Sequence, residues 1–223
     1  MSVRTDVLRF LQEPKAFFDD VSDGDVWLAG LNEFAIPSIE EKGDRHLREA
    51  QVSAWEGLAH RKTGLILGPP GTGKTFLLSW LIAGFCAARR KAGLPARVLV
   101  TAFTRNAIGN VLDAVRDRQV LHDPSAPPPV FLGSPPAGGL ADGVLTYGAK
   151  EQGQVIDHLN GGEAVTGMTV WSLYRLLTTG TPPGGDGMSA PLFDLVCIDE
   201  ASQMVLGHGL LAMAGLADAG RVV

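Results

Sequence analysis

Gly64-Leu-Ile-Leu-Gly-Pro-Pro-Gly-Thr-Gly-Lys-Thr75 is the stretch that decides how this 223-residue chain is read. Its first four residues, Gly64 to Leu67, are a short apolar run that predicts a strand. Gly68 to Thr75 then matches G-x-x-x-x-G-K-[ST], and apolar positions at helical spacing run from Lys74 to Lys91, where Gly93 and Pro95 end them. Strand, glycine turn and helix in that order make a phosphate-binding loop. Glycine lets successive backbone N–H groups curl inward, and the following helix adds the positive end of its dipole. Gly68, Pro69, Pro70, Gly71, Thr72 and Gly73 would form the cradle. Lys74 would reach the β- and γ-phosphates of ATP, and Thr75 would place its hydroxyl on Mg²⁺.

Such a loop needs an acid on the metal side, carried by a neighbouring strand. Phe193-Asp-Leu-Val-Cys-Ile-Asp-Glu200 supplies one: an apolar strand ending in two adjacent carboxylates. Asp199 is suited to hold Mg²⁺, usually through water, and Glu200 to polarise the attacking water. Ligands of open parallel sheets bind at the carboxyl ends of strands, which is where both motifs fall.

The rest of the chain alternates strands with helices. His46 to Arg61 has Leu47, Ala50, Ala54 and Leu58 at helical spacing, Arg97 to Ala102 is β-branched and apolar, and Asn106 to Arg118 is amphipathic. Ala164 to Val170 and Phe193 to Ile198 predict strands, Trp171 to Leu177 and His208 to Leu216 helices, and Arg221 to Val223 the start of a strand. Apolar strands alternating with helices predict an α/β fold, a parallel sheet covered on both faces. Residues 1–44 hold Val7, Leu8 and Leu11 at helical spacing, then an acidic stretch, and are expected as a lead-in or appendage to a domain at 45–223. A Pro/Gly-rich insertion is expected at about 119–163, with His122 to Gly143 in it as a loop, and a second Pro/Gly loop precedes Phe193.

Net charge is −5, but it is uneven: −6 over residues 1–44, +8 over 45–118 and −7 over 119–223. The basic block coincides with the motif-bearing segments, which keeps a nucleic-acid partner in play. No apolar run is long enough to span a membrane and no signal core opens the chain, so a soluble intracellular protein is expected. The two cysteines, Cys86 and Cys197, sit in apolar runs and read as buried free thiols; the five histidines show no zinc-ligand spacing.

Three further segments resemble superfamily 1 helicases, in particular the branch typified by the nonsense-mediated-decay helicase. Asp199-Glu-Ala-Ser-Gln203 looks like that branch's D-E-[AS]-x-Q box, in which Gln203 would couple the γ-phosphate to a second motor domain. Gln51, upstream of the loop in HLREAQVSAW, resembles the branch's adenine-reading glutamine. Val98 to Leu112 resembles motif Ia, and on that match Thr104, Arg105 and Asn110 would touch single-stranded DNA or RNA. Thr169-Val-Trp-Ser172 falls where the family often has another strand-end threonine near nucleic acid. The family often has Pro where this chain has Phe103, and Asp where it has Gly109.

The resemblance implies a RecA-like domain, whose relatives continue from a strand like Arg221-Val-Val223 into a second RecA-like domain carrying arginine fingers. This chain stops before those segments, so the resemblance implies a truncated motor with slow hydrolysis. An AAA+-type ATPase acting on proteins shares the phosphate loop but usually lacks the Gln box and the motif Ia-like segment. A catalytically inactive interaction module is the third alternative.

Overall fold

The computed structural model describes residues 23–43, 45–179 and 192–223, with Asp218 as backbone only. The expected opening helix around Val7 to Leu11 and the Pro/Gly loop before Phe193 lie outside the described residues.

Six strands form one sheet: β1 (Ala96–Ala102), β2 (Val130–Leu132), β3 (Leu145–Tyr147), β4 (Glu163–Met168), β5 (Phe193–Asp199) and β6 (Leu216–Val222). Their order is β3-β2-β4-β1-β5-β6, and every pairing is parallel. The helices are α1 (Gly24–Ala29), continued by a π-helical stretch (Gly30–Ala35) into α2 (Ile36–Lys42), then α3 (Glu49–Gly57), α4 (Lys74–Lys91) and α5 (Arg105–His122). After these come α6 (Gln152–Asn160), α7 (Val170–Thr179) and α8 (Leu206–Met213). The α/β class expected from the sequence is therefore the one observed.

The central strands are apolar throughout because of their position. Val98 and Val100 of β1 join Leu195 and Cys197 of β5 in a core with α1, α3, α4 and α5. Leu99 and Val196 face the opposite core, with α6, α7 and α8. A strand buried on both faces has no solvent side to alternate with. Charge clamps the same pair of strands: Asp194, 6% exposed, accepts from the Arg97 backbone N–H at 2.9 Å and from the Arg97 guanidinium at 2.9 and 3.1 Å.

Residues 24–42, expected as part of a lead-in, bury Trp27, Leu31, Ala35 and Ile39 in the core they share with α4. The helices cross where Gly30 meets Gly84. A Cβ on Gly84 would stand 2.6 Å from the Gly30 carbonyl oxygen, so the two backbones touch. The indoles of Trp27 and Trp55 each donate to the other's backbone carbonyl, at 3.0 and 3.3 Å. Arg221 of β6, 1% exposed, closes this knot. Its guanidinium pairs with Asp23, donates to the Leu58 and Arg61 carbonyls at 2.8 and 3.1 Å, and lies over the Trp27 ring. Asp23 also pairs with Arg89 at 2.9 Å. With Arg97 held by Asp194 and Arg90 by Asp123 and Glu163, part of the basic block is spent on internal ion pairs.

Two expectations are corrected. Gly64 to Leu67 is not a ladder strand: pairing stops at a bridge between Thr63 and Val222 and a bond from the Gly64 N–H to the Val222 carbonyl. Leu65 and Leu67 are 72% and 83% exposed. The segment lies beyond β6, the end of the observed strand order, so no neighbour among the described residues extends its pairing. The expected loop from His122 to Gly143 is broken by β2, while the region at about 119–163 also holds the end of α5, β3 and α6. Two three-residue strands are too short to show a period, and Val155 and Leu159 of α6 pack against the second core.

Two outcomes check this packing. Asp23→Ala, which takes a partner from buried Arg221, should lower the unfolding free energy by about 3 kcal/mol in urea titrations. The exposed neighbour Asp25→Ala should stay within about 0.5 kcal/mol of wild type. Equal effects would mean that residues 24–42 hang loosely on the fold. Burial pushes the Cys86 and Cys197 thiols well above the ordinary thiol range. They stay protonated in the fold while the unfolded chain ionises them, so their contribution is full below that range and is lost as pH rises through it. The urea midpoint should fall between about pH 7.5 and about pH 9.5, and less so in a chain carrying Cys86→Ala and Cys197→Ala.

Candidate functional site

The phosphate loop is shaped by two glycines that other residues would strain. Gly71 and Gly73 have φ of +79° and +85°, the left-handed region that L side chains rarely adopt. Gly73 is also the N-cap of α4, so the eighteen-residue helix points its N-terminus into the turn. Within the loop the Thr72 hydroxyl donates to the Pro69 carbonyl at 2.8 Å. The Lys74 ammonium donates to the Gly68 and Pro69 carbonyls at 2.7 and 3.1 Å, which stations a positive charge across the loop. Thr75, the next residue, is half-buried in the first turn of α4.

Gln51 is 9% exposed and joins two elements. Its side-chain oxygen accepts from the Arg48 backbone N–H at 2.9 Å, closing the start of α3, and its amide donates to the Gly73 carbonyl at 3.1 Å. A cleft of about 240 Å³ opens beside this bond, lined by Gln51, Ala54, Ile66, Gly68, Lys74 and Leu77 among others. One wall is apolar and the other is loop backbone with an ammonium, a donor set that suits a planar base and a phosphate chain. Pro69, Thr72 and Gly73 also line it. Arg48 does as well, and sequence reasoning missed it, because as an N-cap residue it gave no motif signal.

Asp199 and Glu200 sit at the carboxyl end of β5, with Asp199 paired across the sheet to Ala102. The Asp199 carboxylate accepts from the Glu200 N–H at 2.9 Å. Glu200 has φ of +53°, the only non-glycine residue of positive φ among those described. Residues held in this region cost roughly 1–3 kcal/mol and concentrate at functional sites. The next turn, Ala201–Gln203, leaves the Gln203 side chain exposed, its N–H bonded to the Glu200 carbonyl at 2.8 Å. The acid pair does not line the cleft beside Gln51. The two stand at the same end of the sheet, separated by β6, whose Val222 bridges Thr63 just before the loop.

The motif Ia-like residues come after β1 at that same end. Thr104 is the N-cap of α5, its hydroxyl oxygen accepting from the Ala107 N–H at 3.1 Å, which gives it a structural task. The Arg105 guanidinium donates to the Ser134 carbonyl at 3.2 Å, and Asn110 is exposed on the helix. Gly109 has a local reason. A Cβ there would come within 2.8 Å of Pro136 and 3.1 Å of Leu140, so the segment after β2 closes on α5 where an aspartate would not fit.

No helix among the described residues is long and apolar enough to cross a membrane. No curated protein matches the chain. Among solved structures, it is similar to a nuclease-deletion mutant of LlaGI, a Type ISP restriction-modification enzyme, in complex with a DNA substrate mimic. The identity is 19% and the TM-score 0.52, over 80% of this chain and 17% of that one. That likeness places the fold among RecA-like P-loop domains, and the chain spans about a sixth of the enzyme's length. The profile of an AAA domain family, AAA_19, matches residues 51–213, from Gln51 through the phosphate loop and the acid pair, and the chain belongs to that family.

Proposed function

We propose that this chain is the ATP-binding motor domain of a nucleic-acid helicase of the nonsense-mediated-decay-like branch, acting on single-stranded DNA or RNA. The observation that carries this reading is the Gln51 amide on the Gly73 carbonyl, which seats the upstream glutamine on the rim of the phosphate-loop cleft. An adenine in that cleft would meet the Gln51 amide on its polar edge and Ala54 and Leu77 on its faces. The loop N–H groups and the N-terminus of α4 would take the phosphates, and Lys74 would exchange its two carbonyl partners for phosphate oxygens. Thr75 and Asp199 would hold Mg²⁺, which when bound neutralises charge on the phosphates. Glu200 would accept a proton from water, and Gln203, exposed one turn later, would report the occupied site to a second RecA-like domain.

Nucleic acid as the other ligand is supported by the placement of Arg105 and Asn110 beside the acid pair's sheet edge. The resemblance in fold to an enzyme captured with a DNA substrate mimic is in keeping with it. Movement along the strand would need a second RecA-like domain to close on the nucleotide.

Nucleotide titrations of the purified chain with Mg²⁺ test the reading. Wild type should bind ATP in preference to GTP, Lys74→Ala should bind neither, and Gln51→Ala should lose the preference while keeping its fold. Equal affinity of wild type for ATP and GTP would remove Gln51 from its role. Glu200→Gln should bind ATP as wild type does but lower the hydrolysis rate by about 10²-fold or more, the usual contribution of a general base. An unchanged rate would assign the water-polarising role elsewhere.

A further inference from the structure

Exposed strand edges in folded proteins are blunted by charge, proline, a bulge or a cover, because an unpaired edge recruits other strands. Gly64 to Leu67 contains no charge and no proline. Its pairing with β6 stops at the bond from the Gly64 N–H to the Val222 carbonyl. Among the described residues no backbone group pairs with Leu65, Ile66 or Leu67. The side chains of Leu65 and Leu67 are strongly exposed as well.

This edge forms one wall of a groove of about 440 Å³. The second half of α3 forms the other, through Ser53, Ala54, Gly57 and the C-cap Leu58. There is room between the walls: a Cβ on Gly57 would meet nothing within 4 Å. Two polar groups of the groove stand unanswered. The Thr63 hydroxyl is buried without a hydrogen bond, and a ligand group that bonded it would relieve that cost. Arg61 is exposed, with no side-chain partner among the described residues, and no acid is among the residues that line the groove. An apolar wall, an unpaired strand backbone and an unanswered cation are the parts that recognise an extended peptide. The groove also backs onto the nucleotide cleft, since Ala54 and Ile66 line both.

We infer that this groove takes an extended peptide as an added strand, with apolar side chains on alternate residues and a carboxylate at the Arg61 end. Strand addition supplies the backbone bonds that Leu65 and Ile66 lack. The α3 wall gives apolar contact to every second side chain, and Arg61 selects the acid. Charge argues against a second copy of this chain as the occupant. Its matching edge, Arg61 to Leu67, carries two cations and no acid, and Pro69 and Pro70 just beyond lack the N–H that pairing needs. The inference stands apart from the nucleotide reading, because the groove needs no ligand in the cleft.

Anisotropy of a dye-labelled heptapeptide, Asp-Val-Thr-Val-Thr-Val-Asp, titrated with the full chain, tests the groove. The chain should bind this peptide, and a lysine-ended version about tenfold more weakly. Two further versions carry backbone N-methyl groups, one on its valines and the other on its threonines. Because a strand turns alternate N–H groups to one edge, one of these should lose binding and the other keep it. Gly57→Leu fills the groove and should weaken binding by about tenfold or more, and Arg61→Glu should make the lysine-ended peptide the tighter one. Both variants should keep the wild-type urea midpoint and ATP affinity, since neither residue lines the nucleotide cleft. If the two N-methylated peptides behave alike, strand addition is excluded. If the Arg61→Glu chain still prefers acidic ends, the charge selection is wrong. Absence of peptide binding overturns the inference outright; a dimer in sedimentation that Leu65→Lys disrupts would then make a second copy the occupant.

Discussion

In a parallel sheet every strand hands the chain on at the same end, and the pairing of β1 between β4 and β5 imposes that rule on the middle of this molecule. The phosphate loop, the acid pair and the exposed rings of Phe103 and Trp171 all depend on it. Val98, Leu99 and Val100 are buried on both faces, and the Arg97–Asp194 clamp fixes how far β1 and β5 slide past each other. A one-residue slip would turn Leu99 toward the wrong core, so register is held by packing and by charge together. With that register set, Ala102 and Asp199 end side by side, and the loops carrying Phe103, Thr104 and Glu200 must emerge together.

How much of this the sequence showed depends on how local each signal was. α4 runs from Lys74 to Lys91 as predicted, because its apolar spacing and the Gly93 and Pro95 stop lie within the segment itself. β1 and β5 were visible as β-branched apolar runs. Gly64 to Leu67 has the same composition, yet strand pairing is a property of two segments, and among the described residues only Val222 pairs near it. Val130–Leu132 and Leu145–Tyr147 are held by β4 and by each other, which no window of their own residues reveals. Trp27 and Ile39 belong to the shared core for a similar reason: the Gly30–Gly84 crossing that admits them joins residues far apart in the chain.

The site was legible where backbone chemistry dictates residue type. Left-handed φ at Gly71 and Gly73 can hardly be met otherwise, so the motif and its geometry are one fact. Gln51 gave a weaker signal, and only the fold brings its amide to the Gly73 carbonyl. Thr104 shows the opposite case. A hydroxyl expected at a ligand also caps α5 through its oxygen, a duty that a Ser, Thr, Asp or Asn at that position performs in many helices. Gly109 was a departure from the family's pattern with no visible cause until Pro136 and Leu140 were seen against it.

The shared edge also leaves a short path between the acid pair and the exposed rings. Glu200 is held in a strained conformation at the end of β5, and the turn beyond it leads directly into α8. α8 carries His208, whose ring braces Trp171 on the end of β4. Phe103 occupies the strand end between them, one position past the residue that pairs with Asp199. A change of backbone conformation at Glu200 would therefore shift the start of α8 and with it the brace on the indole. Strain at a strand end is stored where a small change in φ and ψ moves the next element, and here that element steadies half of an aromatic pair. The parallel register that made the sheet stable thus also sets the acid pair and the exposed rings on neighbouring strand ends, one strand in each direction from β1.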